Sequence, residues 1–272
     1  MTAPEPSAPS AKPYPGFAQA LLVLLLFFLF GALTTLPAGV LGALKLRHWA
    51  SWTTLLGELG ATYLTMRVCR RFGAKDWTAF FRGQPVPGPV WPLLLPATAG
   101  LMLVCNGLEA WMAQTLPPPP WFERFFEDVG WPSIVLGAPL SEELLFRGLI
   151  LGGFLQRYGP HKAILYSTLL FALIHMNPWQ LPIALLAGLF LGWLTVRTGS
   201  LWPAVFAHFL NNLSDPLIRM FRIPHLSGTS PQPSWMWALG FLLLGAGLAA
   251  LKRATAEHQG LLRAQDLPGR AS

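Results

Sequence analysis

The stretch Ser133-Ile-Val-Leu-Gly-Ala-Pro-Leu-Ser141-Glu142-Glu143-Leu-Leu-Phe-Arg147-Gly148-Leu-Ile-Leu-Gly-Gly-Phe-Leu155 reads as a membrane span with charged side chains in its middle. If the span begins near Ser133, Glu142 lies roughly 14 Å in, at 1.5 Å per residue. That is close to the midplane of a hydrocarbon layer about 30 Å thick. An ionisable group there costs about 3 kcal/mol even on lenient insertion scales, and is kept where it pairs inside a bundle or lines a wet cavity. The depth of these residues therefore points to a functional site.

The rest of the chain agrees with a membrane setting. Its 272 residues are 53% hydrophobic and only 11% charged, with a mean hydropathy of +0.46, against about 25% charged residues in a soluble domain. Phe17 to Leu44 carries no charge, and Ser234 to Leu251 is a second clean run. The expected fold is all-α, a polytopic bundle of about eight transmembrane helices over roughly 17–40, 50–66, 90–113, 133–155, 161–176, 181–197, 201–219 and 234–251. The fifth and sixth are near the lower length limit for spanning, which leaves seven or eight.

The expected organisation follows polarity. Residues 1–16 are Pro/Ala/Ser-rich and read as a disordered tail; 17–130 hold the N-terminal spans, with the first run too long for a signal peptide and read as an uncleaved helix. Residues 131–220 form a core that concentrates charged and imidazole groups, 221–251 a loop and last span, and 252–272 a cytoplasmic tail. Pro117–Pro120 reads as a stiff polyproline connector.

The net charge of +7 gathers in Arg67, Arg70, Arg71, Lys75 and Arg82 and in Lys252, Arg253, Arg263 and Arg270, whereas the loop 115–131 carries Glu123, Glu127 and Asp128. The positive-inside rule then puts both termini and the 67–85 loop in the cytoplasm, and the Ala/Leu/Pro-rich composition and short loops suit a bacterial inner membrane. Such juxtamembrane charge calls for a lipid bilayer as partner and for no nucleic acid. Cys69 and Cys105 form neither a metal spacing nor a disulfide framework and read as packing residues. Gly148 and Gly152, and Gly188 and Gly192, have the small-xxx-small spacing that lets helices approach closely, read here as internal packing.

Three polar elements recur at helical spacing. In Glu142-Glu143-x-x-x-Arg147, Glu143 and Arg147 share a helix face while Glu142 points about 100° away. One carboxylate is then a paired scaffold and the other is available. Phe171-x-x-x-His175 closes an apolar run ahead of the helix-breaking Asn177-Pro178. In Ser200-Leu-Trp-Pro203-Ala-Val-Phe-Ala-His208-Phe-Leu-Asn211-Asn212, Pro203 suits a first helical turn, and His208 and Asn212 share a face.

Three helices thus bring carboxylate, imidazole and amide to membrane depth, a set suited to peptide-bond hydrolysis. Glu142 serves as general base for a water that His175 shares, and His208 and Asn212 can donate to an oxyanion, where one donor is worth about 10²–10³ in rate. No serine or cysteine stands in a nucleophile motif. Glu142, His175 and His208 also match the ligand types of hydrolytic zinc, although an H-E-x-x-H helix is absent. The cofactor therefore stays open between none and a divalent metal such as zinc. The same groups also suit a buried structural network in a non-enzymatic immunity scaffold or a small transporter. Glu58 and Glu109 read as polar contacts within the bundle, with lining of the cavity as the lesser alternative, and His48, His161, His225 and His258 as solvated.

The three segments, in this order and each in a hydrophobic helix, resemble the signatures of the CAAX-protease and bacteriocin-processing (Abi) membrane peptidases, which include type II CAAX prenyl endopeptidases. The resemblance covers about 132–214. It implies an intramembrane endopeptidase with Glu142 and His175 activating water, His208 and Asn212 stabilising the oxyanion, and Glu143 with Arg147 supporting. It also implies a membrane-associated peptide or lipidated protein as substrate, in CAAX-type processing or in bacteriocin maturation or immunity.

Overall fold

Backbone in an apolar layer has no water to bond and must satisfy its own N–H and C=O groups, which favours helices throughout. The computed structural model describes residues 13–72, 85–117, 119, 130–226 and 231–258, and no strand occurs among them. The helices are α1 (Phe17–Thr34), α2 (Leu36–Ala43), α3 (Arg47–Arg71) and α4 (Val90–Thr115). A fifth, α5, runs without a break through Ser133–Gly137, Ala138–Glu143, Leu144–Ile150 and Leu151–Tyr158. Then follow α6 (Pro160–Ile174), α7 (Leu181–Thr198), α8 (Trp202–Phe221) and α9 (Ser234–Ala254).

Four helices among the described residues are long and apolar enough to cross a membrane: α1, α4, α7 and α9. The fold class is as the sequence implies, but the other expected spans do not meet that test. The expected span 17–40 divides at Thr35, because Pro37 lacks an N–H for a continuous helix and Thr34 instead donates its hydroxyl to Gly57 O on α3 at 2.7 Å. Helix α6 is short, α5 changes winding within its length, and α3 and α8 carry charged residues among their apolar ones.

The helices pack as two apolar groups. Leu145, Phe146, Ile150 and Phe154 of α5 join Val23 of α1 and Phe171 of α6 in one. Leu94 and Leu101 of α4 join Leu191 and Leu194 of α7 and Ala204 and Ala207 of α8 in the other. Helix α5 lies against α3 and α8 as well as α6, so its polar residues face three neighbours. Gly188 supports this arrangement, since a Cβ there would meet Thr168 Cγ2 at 2.8 Å and hold α7 off α6.

Several smaller expectations change. Of the segment expected to be a disordered tail, residues 1–12 lie outside the described residues, but Pro15 and Gly16 are buried and Arg157 donates to Pro13 O at 3.2 Å. Lys75, Arg82, the three loop acids, Arg263 and Arg270 also lie outside the described residues. His48 and His161 are exposed on helices, whereas His258 is half-buried and donates from Nε2 to Thr198 O at 3.0 Å. Cys69 and Cys105 are free and buried.

Candidate active site

Helix α5 is wound unevenly around its charged residues. Ser133–Gly137 and Leu144–Ile150 are π turns that flank the α-helical Ala138–Glu143. Such wide turns occur mostly as bulges within α-helices, frequently at functional sites. The first of them has a local cause. The Ala138 N–H bonds back to Ser133 O, and the next residue, Pro139, has no N–H to give the Ile134 carbonyl. Asn212 of α8 supplies that donor, with Nδ2 2.9 Å from Ile134 O.

The i,i+4 pair forms as its spacing implies: Arg147 Nη1 lies 2.9 Å from Glu143 Oε1, with Arg147 1% and Glu143 0% exposed. The same oxygen also accepts from His208 Nδ1 at 2.8 Å, a partner that the linear sequence does not indicate. Glu143 therefore joins α5 to α8 and fixes the His208 ring. Arg147 is held further by Gly188 O, 3.4 Å from Nη2, and by the Phe171 ring, whose centroid is 4.3 Å from Cζ.

Phe171 organises the imidazoles too. Its ring meets His175 edge-on at 4.9 Å and His208 edge-on at 6.2 Å between centroids. The helix ends at Ile174, so His175 is its C-cap, and its Nδ1 donates to Phe171 O at 2.8 Å. Beyond it, Asn177 Oδ1 accepts from the N–H groups of Trp179 and Gln180, closing the turn that Asn-Pro predicts. With Nδ1–H so engaged, neutral His175 presents Nε2 as an acceptor.

Glu142 points away from the pair. It lines a cavity of about 200 Å³ together with Phe27, Phe28, Glu58, Ser141, Ile174 and His175. Its Oε2 is buried without a hydrogen-bond partner and lies 3.9 Å from His208 Nε2. Glu142 thus shares the cavity with His175 and lies near His208, which is not among the lining residues. Asn212 is one turn beyond His208 but is not among the cavity-lining residues, and one of its two amide N–H groups is occupied by Ile134. Glu58, read from sequence as a bundle contact with cavity lining as the lesser alternative, lines the cavity. Glu109 lies apart from it on α4. Glu58 carries the same signal as Glu142, a carboxylate in an expected span, whereas the contacts of the Phe171 ring have no signal in the linear sequence.

A hydrolytic metal would need three side-chain donors at one point, and no group of three His, Cys, Asp or Glu side chains is so arranged among the described residues. Nδ1 of His175 is on a carbonyl and Nδ1 of His208 is on Glu143, so each ring leaves Nε2 to the site. No step below passes through a metal.

Residues 127–214, the segment that holds all of these groups except Glu58, match the family described as type II CAAX prenyl endopeptidase Rce1-like. The chain is also 33% identical over 161 residues to an Escherichia coli protein named "Uncharacterized 24.3 kDa protein", a match spanning 54% of this chain and 73% of that one. The chain belongs to the Rce1-like family. It is 30% identical over 74 residues to "Putative membrane peptidase YdiL" of Bacillus subtilis (strain 168), spanning 27% of this chain and 30% of that one. No solved structure matches the chain. An Rce1-like protein with apolar helices is an integral membrane protein of the CAAX-type protease class.

Proposed function

We propose that this Rce1-like protein is an intramembrane endopeptidase that hydrolyses a peptide bond with water activated by Glu142 and His175. The observation that carries the reading is their shared cavity of about 200 Å³. Glu142 accepts the proton as water attacks the carbonyl, and His175, acceptor at Nε2, helps orient that water. His208 and the second N–H of Asn212 stabilise the oxyanion. Since Glu143 holds the His208 Nδ1–H, donation from Nε2 requires the doubly protonated ring. Glu143 and Arg147 keep that ring in register.

The substrate is a membrane-associated peptide or protein whose scissile bond reaches membrane depth, in CAAX-type processing or in bacteriocin maturation or immunity. The setting is a bacterial inner membrane with both termini in the cytoplasm. Comparison of membrane proteomes from cells with wild-type protein and Glu142→Gln tests the reading. Fragments made by the wild type should disappear with Glu142→Gln while the variant accumulates normally. Identical fragments in both would remove Glu142 as the base.

A further inference from the structure

Glu58 belongs to α3, outside the segment that matches the family, yet it lines the same cavity as Glu142 and His175. Its Oε1 accepts from the Ser133 hydroxyl, and its Oε2 is buried without a partner. The carboxylate lies against Gly137, where a Cβ would collide with Glu58 Oε2 as it is placed. Ser141 Oγ and Glu142 Oε2 are likewise buried without hydrogen-bond partners in the same lining. Glu58 and Glu142 are the two carboxylates of that lining.

Hydrolysis of a peptide needs two proton transfers, one from the attacking water and one onto the departing amine, which is too basic to leave as an anion. Glu142 takes the first. Neutral His175 presents an acceptor, not a donor, to the cavity because its Nδ1–H is spent on Phe171 O. His208 is committed to Glu143 and to the oxyanion side. We propose, resting on the peptidase reading above, that Glu58 is a catalytic residue that protonates the leaving amine. Glu58 enters the step as the carboxylic acid and Glu142 as the carboxylate. The water oxygen bonds to the carbonyl carbon as Glu142 accepts one of its protons. The carbon–nitrogen bond then breaks while Glu58 gives its proton to the nitrogen, so that one carboxylic acid and one amine form. The proton gained by Glu142 returns to Glu58 through the cavity and restores the pair.

The test uses the full chain in proteoliposomes and two quenched fluorogenic probes. One is a peptide ending in farnesylated Cys-aliphatic-aliphatic-X, and the other carries an ester of a weakly basic phenol at the scissile position. A phenolate leaves without a proton, so loss of an acid affects only the first probe. Glu58→Gln, which keeps an acceptor for Ser133, should lower kcat on the amide about 10²–10³-fold. It should leave kcat on the ester, KM and the melting temperature close to wild type. Glu142→Gln should lose both activities. Equal loss on amide and ester, or wild-type kcat on both, overturns Glu58 as the acid while a dead Glu142→Gln leaves the peptidase reading standing. If Glu142→Gln keeps wild-type turnover, or if the wild type cleaves neither probe, the reading and this inference fall together. Should Glu58→Gln not fold, Ser133→Ala, which keeps the carboxyl and frees it from its hydroxyl partner, is put through the same comparison. An unchanged amide-to-ester ratio then overturns the proposal.

Discussion

At the scale of single residues, one buried oxygen organises the site. Glu143 Oε1 accepts from Arg147 and from His208, and it does so with almost no exposure to solvent. Removing one partner of a buried ion pair leaves a charge with neither water nor counterion, a loss of about 3–5 kcal/mol, whereas replacing both partners by apolar groups is often close to neutral. Arg147→Ala should therefore lower stability by about 3–5 kcal/mol, as read from denaturant unfolding of the protein in detergent. The double variant Glu143→Leu/Arg147→Met should recover much of that loss yet stay inactive, since nothing then fixes His208. A double variant as unstable as Arg147→Ala would show that the network is not held by charge pairing. The adjacent glutamates have opposite surroundings although their sequence context is nearly the same. The 100° step between neighbouring helical residues turns Glu143 into the protein and Glu142 into the cavity.

At the scale of elements, α5 is the frame and its neighbours are spaced by small residues. The turn at Ser133–Gly137 leaves the Ile134 carbonyl to a side chain of α8, so a proline in α5 and an asparagine in another helix form one joint. On the other side, Gly188 lets α7 approach α6 until its carbonyl reaches Arg147. Gly188→Ala places a methyl 2.8 Å from Thr168 Cγ2 and 3.3 Å from Phe171 Cδ1. The helices must separate by a few tenths of an ångström, and overpacking of this kind costs about 1–3 kcal/mol. The melting temperature should fall, and turnover should fall further than stability explains because Phe171 touches Arg147, His175 and His208. Activity that follows the folded fraction alone would show that Phe171 has no positioning role.

At the scale of the whole molecule, the question is how the chain crosses the bilayer. Juxtamembrane Arg67, Arg70 and Arg71 and the pair Lys252 and Arg253 favour the cytoplasmic side, and the proposed arrangement has an even number of crossings. Cys69 and Cys105 are buried, so introduced cysteines can report the topology. Pro119→Cys should react in intact cells with a thiol reagent that cannot cross the membrane, and Lys252→Cys only after permeabilisation. Labelling of Lys252→Cys in intact cells would overturn the cytoplasmic placement of the C-terminal end.

The membrane fold was legible because low charge and long apolar runs leave few other solutions for the backbone, and the three polar segments were legible because helical spacing fixes which residues share a face. Pairing of Glu143 with Arg147 needs only that local geometry. The hydrogen bond of Glu143 to His208, the bond from Asn212 to Ile134 and the entry of Glu58 into the cavity involve residues 65, 78 and 75 or more positions apart, or from separate helices. No periodicity encodes those distances. They depend on how closely α3, α7 and α8 pack around α5, which is set by side-chain volume and by glycine at 137 and 188, and so only the tertiary structure decided them.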